Sequence, residues 1–170
     1  MQKIHRHLEK YWSLSVDFFE KSDWPLSCFF ALNLIEEVGK VESFFMMKKF
    51  GKIIQKPLLN HDTKYNQAVF GNLYVNSRVT RIYGEREKEF AKLFREKKLF
   101  ELRNKSLYLE LDDNNLISPE ESICRDTAFL LVCFAGEIYG EVQGDLLDSS
   151  VEEHFRIVDE VEKFRERNSP

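Results

Sequence analysis

Apolar and polar positions recur at helical spacing along most of the chain. In "KIHRHLEKYWSLSVDFFEKS" the residues Ile4, Leu8, Tyr11, Trp12, Ser15, Phe18 and Phe19 return every three or four positions, which predicts an amphipathic helix over residues 3–22. "SDWP" follows, with Asp23 suited to an N-cap and Pro25 to a first turn. A second helix is expected from there to about Phe50, closed by Gly51. A third is expected from near Pro57 through "LLNHDTKYNQAVFGNLYVNSRV", with a break at Gly84. A fourth covers "EREKEFAKLFREKKLFELRNKSLY", placing Phe90, Leu93, Phe94, Leu99 and Leu102 inward. "LYLELDDNNLI" changes to an alternating pattern and turns on Asp112–Asn115, so a short extended or turn segment is expected near residues 107–117. "SPEE" starts a fifth helix, with Ser118 as N-cap, Pro119 at N1 and Glu121 completing a capping box; it is expected to reach about Gly144. A highly charged helix over 149–167 ends the pattern. The expected fold is an all-α bundle of five to six helices, a single domain over residues 1–170.

Composition agrees with long helices. The chain holds only 7 glycines and 4 prolines, so it has little to punctuate it, and 43% hydrophobic with 32% charged residues reads as globular rather than disordered. Cys28, Cys124 and Cys133 are an odd count without CxxC spacing, and Cys28 and Cys133 lie in apolar runs, as buried thiols in a reducing cytoplasm would. No apolar stretch follows the charged segment Met1–His7, and charges interrupt every run long enough to span a bilayer. A soluble cytoplasmic protein with no membrane contact is therefore expected. The net charge of −4 does not announce a nucleic-acid binder, but its distribution is uneven. Residues 40–105 carry 16 positive and 7 negative charges, residues 106–170 carry 5 and 16. That asymmetry fits a phosphate-facing surface backed by an acidic flank, or basic and acidic helices that pack together or face water.

The second helix holds the main anomaly. "FFALNLIEEVGKVESFFMM" is almost as apolar as a membrane segment, yet Glu36, Glu37 and Lys40 sit in its middle. On a helical wheel Asn33, Glu36, Lys40 and Ser43 fall within about 60° of Glu36, a polar stripe on a helix otherwise apolar nearly all round. Such a helix is expected to be covered by protein, and covered charges persist only with partners. His61 and Lys64 share a face of the third helix with Ala68 and Gly71, while Arg103, Asn104, Ser106 and Tyr108 cluster where the fourth helix ends. The expectation is that Glu36, Glu37 and Lys40 lie inside the bundle facing His61 and Arg103. An exposed, salt-bridged stripe is the other arrangement the spacing permits.

"ALNLIEEVGKVE", "NHDTK" and "LRNKSLYLELDDN" ahead of a "SPEE" helix resemble the abortive-infection V (AbiV) family of phage-defence proteins. That family has an EExGK helix, an HxxK element and an R-x4-Y element in this order, and the likeness spreads over about residues 10–140. AbiV proteins are in turn similar to the HEPN superfamily of helical-bundle ribonucleases, which commonly act as homodimers. HEPN nucleases use an Arg, often followed by a polar residue such as Asn, and a His a few residues later. Arg103 and Asn104 supply the first half, whereas residues 108–110 are Tyr, Leu and Glu. The resemblance implies a homodimeric antiviral effector that acts on RNA to arrest translation, with a phage-encoded activator protein as a further partner and no cofactor.

Cleavage by 2′-OH attack needs a base, an acid for the leaving oxygen and cationic donors for the phosphorane. Arg103 is suited to hold the phosphate, with Lys40 or Lys64 adding charge. His61, from another helix, can stand in for the absent His, oriented by Glu36 or Glu37, and Tyr108 can donate to phosphate but is a poor base near pH 7. A di-metal carboxylate bundle is excluded because no Glu-x-x-His pair occurs, although the adjacent glutamates can still hold one Mg²⁺. Ser-His-Asp, P-loop and GxGxxG signatures are missing. The reading from another class is a non-catalytic HEPN-like module that binds a phage or host protein, its polar cluster purely structural.

Overall fold

A computed structural model describes residues 2–50, 60–70, 88, 92–93, 96–145 and 151–169. Its elements are α1 (Gln2–Glu20), α2 (Trp24–Phe50), α3 (His61–Phe70), α4 (Lys98–Lys105), β1 (Glu110–Asp112), β2 (Asn115–Ile117), α5 (Pro119–Ser122), α6 (Arg125–Asp145) and α7 (Val151–Asn168). The fold is all-α, with one two-stranded hairpin among the described residues.

Two central helices, α2 and α6, are apolar on almost every face and bury most of their length, from Cys28 to Val38 and from Ala128 to Val142. The amphipathic helices cover them. α1 turns Leu8, Trp12, Ser15 and Phe19 inward, and α7 turns Ile157, Val161 and Phe164. α1 and α3 pack on α2, and α7 on α6, with α1 also reaching α6. Phe19, Phe129 and Phe164 form an aromatic cluster where α1, α6 and α7 meet. Among the described residues Trp12, Phe19, Tyr65, Phe129, Phe134, Tyr139 and Phe164 belong to the core, while Phe44, Tyr108 and Phe155 stay exposed.

Asp23 caps α2 as its sequence suggests: its Oδ1 accepts from Leu26 N–H at 3.0 Å. Ser118 N–H donates to the Glu121 carboxylate at 2.7 Å, the reciprocal half of a capping box. Three helix boundaries differ from expectation. The third helix starts at His61 rather than near Pro57, because Asn60 takes the cap and its Oδ1 accepts from Thr63 N–H at 3.2 Å. Pro57, Gly71 and Gly84 lie outside the described residues. The fourth helix is interrupted by a turn at Glu96–Lys97, where Lys97 takes a left-handed conformation (φ 56°), and α4 begins afresh at Lys98. The fifth helix divides at Ile123, whose extended backbone (φ −114°, ψ 109°) sends a wholly buried side chain into the core before α6 starts at Arg125.

The alternating segment forms a hairpin in the register Glu110↔Ile117, Leu111↔Leu116, Asp112↔Asn115. Asp113 makes its turn at φ 50°, a conformation Asp tolerates. Among the described residues no helix is long and apolar enough to cross a membrane.

Candidate functional site

The site sits where α2, α3 and α4 converge. Gly39 sets the distance between the first two: a Cβ there would lie 1.9 Å from the Lys64 carbonyl oxygen. With no side chain in the way, the α3 backbone packs directly on α2, and two of its side chains reach back to Glu36.

Glu36 is only 4% exposed. Its Oε2 is 2.7 Å from His61 Nδ1, and its Oε1 accepts from Lys64 Nζ at 3.0 Å. Because a carboxylate only accepts, His61 donates to it through Nδ1–H, and in the neutral ring Nε2 is then the accepting nitrogen. Lys40 Nζ approaches Glu36 Oε1 at 3.5 Å and is hydrogen-bonded to Glu37 one turn away. Glu37 extends the chain of contacts to His7 on α1, Nε2 to Oε2 at 3.4 Å. Burial pushes the Glu36 carboxyl up, but hydrogen bonds from His61 and Lys64 and their charge outweigh it and hold the group below its ordinary value. For Lys40 burial works downward, and the neighbouring Glu37 and Glu36 carboxylates outweigh it and raise the ammonium.

Arg103 enters through α4. Its Nε donates to Asn33 Oδ1 at 3.3 Å, and its guanidinium lies over the Phe29 ring at 5.7 Å. His61 stacks on Phe100 of the same helix, centroids 4.6 Å apart. The site is therefore a ladder with two rungs, Asn33–Arg103 and Glu36–His61–Phe100. Asn33 and Glu36 are three residues apart on α2, as Phe100 and Arg103 are on α4, so the rungs lie about 5 Å apart along the helix axes.

Of the eight residues that the sequence singles out, Glu36, Glu37, Lys40, His61 and Lys64 join one network, and Arg103 stands beside it. Arg103 contacts Asn33 rather than Glu36. Asn104 gives its carbonyl oxygen to the N–H groups of Leu107 and Tyr108, closing α4, and Tyr108 is 63% exposed at the base of the hairpin. Neither side chain is part of the network among the described residues. Sequence reasoning did not single out Gly39 and Tyr65. A glycine inside a helix ordinarily costs about 1 kcal/mol, which signals a close approach. Tyr65 follows His61 at i+4, so the same face of α3 carries both. Among the described residues no three His, Cys, Asp or Glu side chains converge as a metal ion would need.

The EExGK helix, the HxxK helix and the Arg of the third element thus meet in space. The profile of the HEPN_AbiV family, described as AbiV, matches residues 1–140. The chain belongs to the HEPN_AbiV family. Membership supports a role in abortive-infection phage defence, and the match spans α1 to most of α6, with all eight singled-out residues inside it. Neither a curated protein nor a solved structure matches the chain.

Proposed function

We propose that this HEPN_AbiV protein acts on RNA in infected cells and so arrests translation, with α2, α3 and α4 supplying the site. The observation that carries the reading is the Glu36–His61 pair, 2.7 Å apart, about one helical turn from Arg103. A histidine whose Nδ1 is held by a buried carboxylate presents Nε2 as a general base, and His61 is partly exposed. In the proposed step Arg103 holds the phosphodiester. The 2′-OH gives its proton to His61 Nε2, its oxygen bonds to phosphorus, and the P–O5′ bond breaks as the leaving oxygen takes a proton from water. Lys40 adds positive charge nearby. Purified protein incubated with tRNA and total RNA, with and without EDTA, tests this. Cleavage that persists in EDTA and is lost in Arg103→Ala and His61→Ala supports it. RNA left intact under every condition refutes it and favours the non-catalytic interaction module, which the full pairing of Glu36 by His61, Lys64 and Lys40 also suits.

The active form is proposed to be a homodimer. Leu111 (76% exposed) and Leu116 (67%) are cross-strand partners on one face of the hairpin, and Leu109 and Tyr108 are exposed beside them. Hydrophobic area of this kind marks an interaction surface. Glu110, Asp112 and Asp113 make the same hairpin acidic, which disfavours RNA as its occupant. The end of α2 offers the complement, exposed Phe44 and Met46 next to Lys48 and Lys49. A second copy related by a two-fold axis would seat each hairpin on the other's α2. A phage-encoded activator protein remains part of the proposal.

A further inference from the structure

Not every aromatic side chain of α1 and α2 enters the core. Phe18, Phe29 and Phe30 are half-buried and stand outside the core cluster, and Tyr11 packs at its edge. The four rings form a continuous strip along the α1–α2 seam. Phe30 lies at its centre, 5.3 Å from Phe29, 5.4 Å from Phe18 and 6.1 Å from Tyr11 between centroids. The planes of Phe18 and Phe30 are 7° apart, a stacked pair. A cation stands at each end: Lys21 Nζ is 5.6 Å from the Phe18 centroid, and the Arg103 guanidinium 5.7 Å from that of Phe29. Arg103 is half-buried as well, and the strip runs up to it by direct contact.

Charge is sorted across α1. Its three acids serve α7: Glu9 pairs with Arg156 at 3.1 Å and Glu20 with Arg167 at 3.5 Å, while Asp17 lines the groove between the two helices. Trp12 faces α7 too, donating to Glu160 at 3.1 Å. Lys10 stands about 100° to the other side of Tyr11 from Trp12, and Lys3 two turns earlier on the same line. Both lysines are exposed, as is Lys21. On the α2 side Asp23 caps the helix start, and Glu37 is bonded to Lys40 and contacts His7. Half-open rings flanked by lysines have the chemistry that holds a single nucleic-acid strand: bases stack on the rings whatever their sequence, and cations follow the phosphates. The hairpin has the opposite character, aliphatic and acidic. The strip lies near the start of α2, and Phe44 and Met46 near its end, so an RNA occupant leaves the proposed dimer contact free.

We propose that Phe18, Phe29 and Phe30, with Tyr11, are the base-stacking platform for a single-stranded RNA whose phosphate Arg103 holds, and that Lys3, Lys10 and Lys21 follow its backbone. The inference rests on the reading of Arg103 as the phosphate holder and adds where the neighbouring nucleotides lie. It makes the substrate a single strand of relaxed sequence, because a duplex keeps its bases stacked on one another.

Fluorescence anisotropy of the full chain with a labelled oligouridine of about 12 nucleotides tests it. Its riboses are 2′-O-methylated, which removes the attacking hydroxyl and makes binding independent of cleavage. Phe30→Leu keeps apolar bulk and removes the ring, so it should weaken binding about tenfold at a wild-type melting temperature. Phe30→Tyr keeps a ring and should bind as wild type does; binding as weak as that of Phe30→Leu would overturn the platform. Lys10→Glu with Lys21→Glu should weaken binding at least about tenfold at low salt and flatten its salt dependence. A duplex of the same length should bind more weakly than the single strand. Wild-type affinity in Phe30→Leu or in the lysine pair, with binding lost in Arg103→Ala, would overturn the inference and leave the Arg103 reading standing. A duplex bound as tightly as the single strand would do the same. No binding of either form to wild type would overturn the inference and the reading together. Should Phe30→Leu melt lower, Phe18→Leu takes its place under the same outcomes. Sedimentation of Phe30→Leu at half the wild-type mass, with RNA affinity unchanged, would overturn the inference and give this face to a second copy of the chain.

Discussion

Gly39→Ala is the most direct probe of how the site is assembled. In an exposed helix interior this change normally stabilises by up to about 1 kcal/mol. Here the new Cβ would meet the Lys64 carbonyl oxygen at 1.9 Å, its carbon at 2.6 Å and its Cα at 3.0 Å. These are backbone atoms of α3, so no side chain can swing aside. Ordinary contact begins at 3.4 Å, and the helices must separate by about 1.5 Å to restore it. A shift of that size stretches the His61 and Lys64 contacts to Glu36, now 2.7 and 3.0 Å, past useful hydrogen-bond length. Overpacking costs about 1–3 kcal/mol, and the weakened buried pair adds to it, so the net loss should be about 2–4 kcal/mol. For a chain of 170 residues that is a fall in melting temperature of roughly 5–15 °C. Thermal unfolding followed by circular dichroism measures it. Gly140→Ala is the control, since a Cβ there meets only side-chain atoms at 3.4 and 3.7 Å. If Gly39→Ala melts with wild type or above it, the close α2–α3 contact is not what positions His61 and Lys64.

Glu36→Ala should destabilise by about 3–5 kcal/mol in urea unfolding, because it leaves Lys64 buried without its partner, and Glu36→Gln should cost less by keeping shape and an acceptor. The Glu36 carboxyl lies below its ordinary value of 4.5, so its contribution is present above that pH and lost as pH falls through the lower folded value; Glu36→Gln should flatten that acid limb, and an unchanged acid profile would contradict the pairing. For the hairpin, Leu111→Glu with Leu116→Glu should convert a dimer into a species of 20.2 kDa in sedimentation, and a wild type already sedimenting at that mass would reject the dimer.

The helical pattern was legible because apolar spacing and capping chemistry act locally. Asp23, Pro25, Ser118 and Glu121 mark helix starts whatever packs above them. The breaks at Lys97 and Ile123 were not legible. Neither carries Gly or Pro; the break at Ile123 follows from a tertiary demand, since its side chain enters the core, and no local signal marks Lys97. The burial of Glu36 was inferable from the apolar faces around it, and its candidate partners from the cations that the next two helices supply, His61, Lys64 and Arg103. Which cation reaches which acceptor was not. The expectation set Glu36 facing His61 and Arg103, and His61 does reach it, yet α4 meets α2 one turn earlier, so Arg103 lands on Asn33. Tyr108 illustrates the limit of motif reasoning. Its spacing from Arg103 is right, but α4 ends at Lys105 and the chain turns away into the hairpin.

The site divides into a saturated half and an unsaturated half, and the division follows from α2 itself. Toward Gly39, α3 comes so close that Glu36 draws in His61 and Lys64, and each of these charges has a counterpart. Toward Phe29, the neighbour is α4, whose Arg103 meets, among the described residues, a neutral amide and an aromatic face. An amide fixes the guanidinium without neutralising it, and the ring supports it without using its Nη donors. A structural network alone has no reason to leave a cation in that condition, since pairing it would add stability. A binding site does, because a donor already paired within the protein is lost to the ligand. The saturated half holds its shape, and the open half is where an anion would complete the pairing.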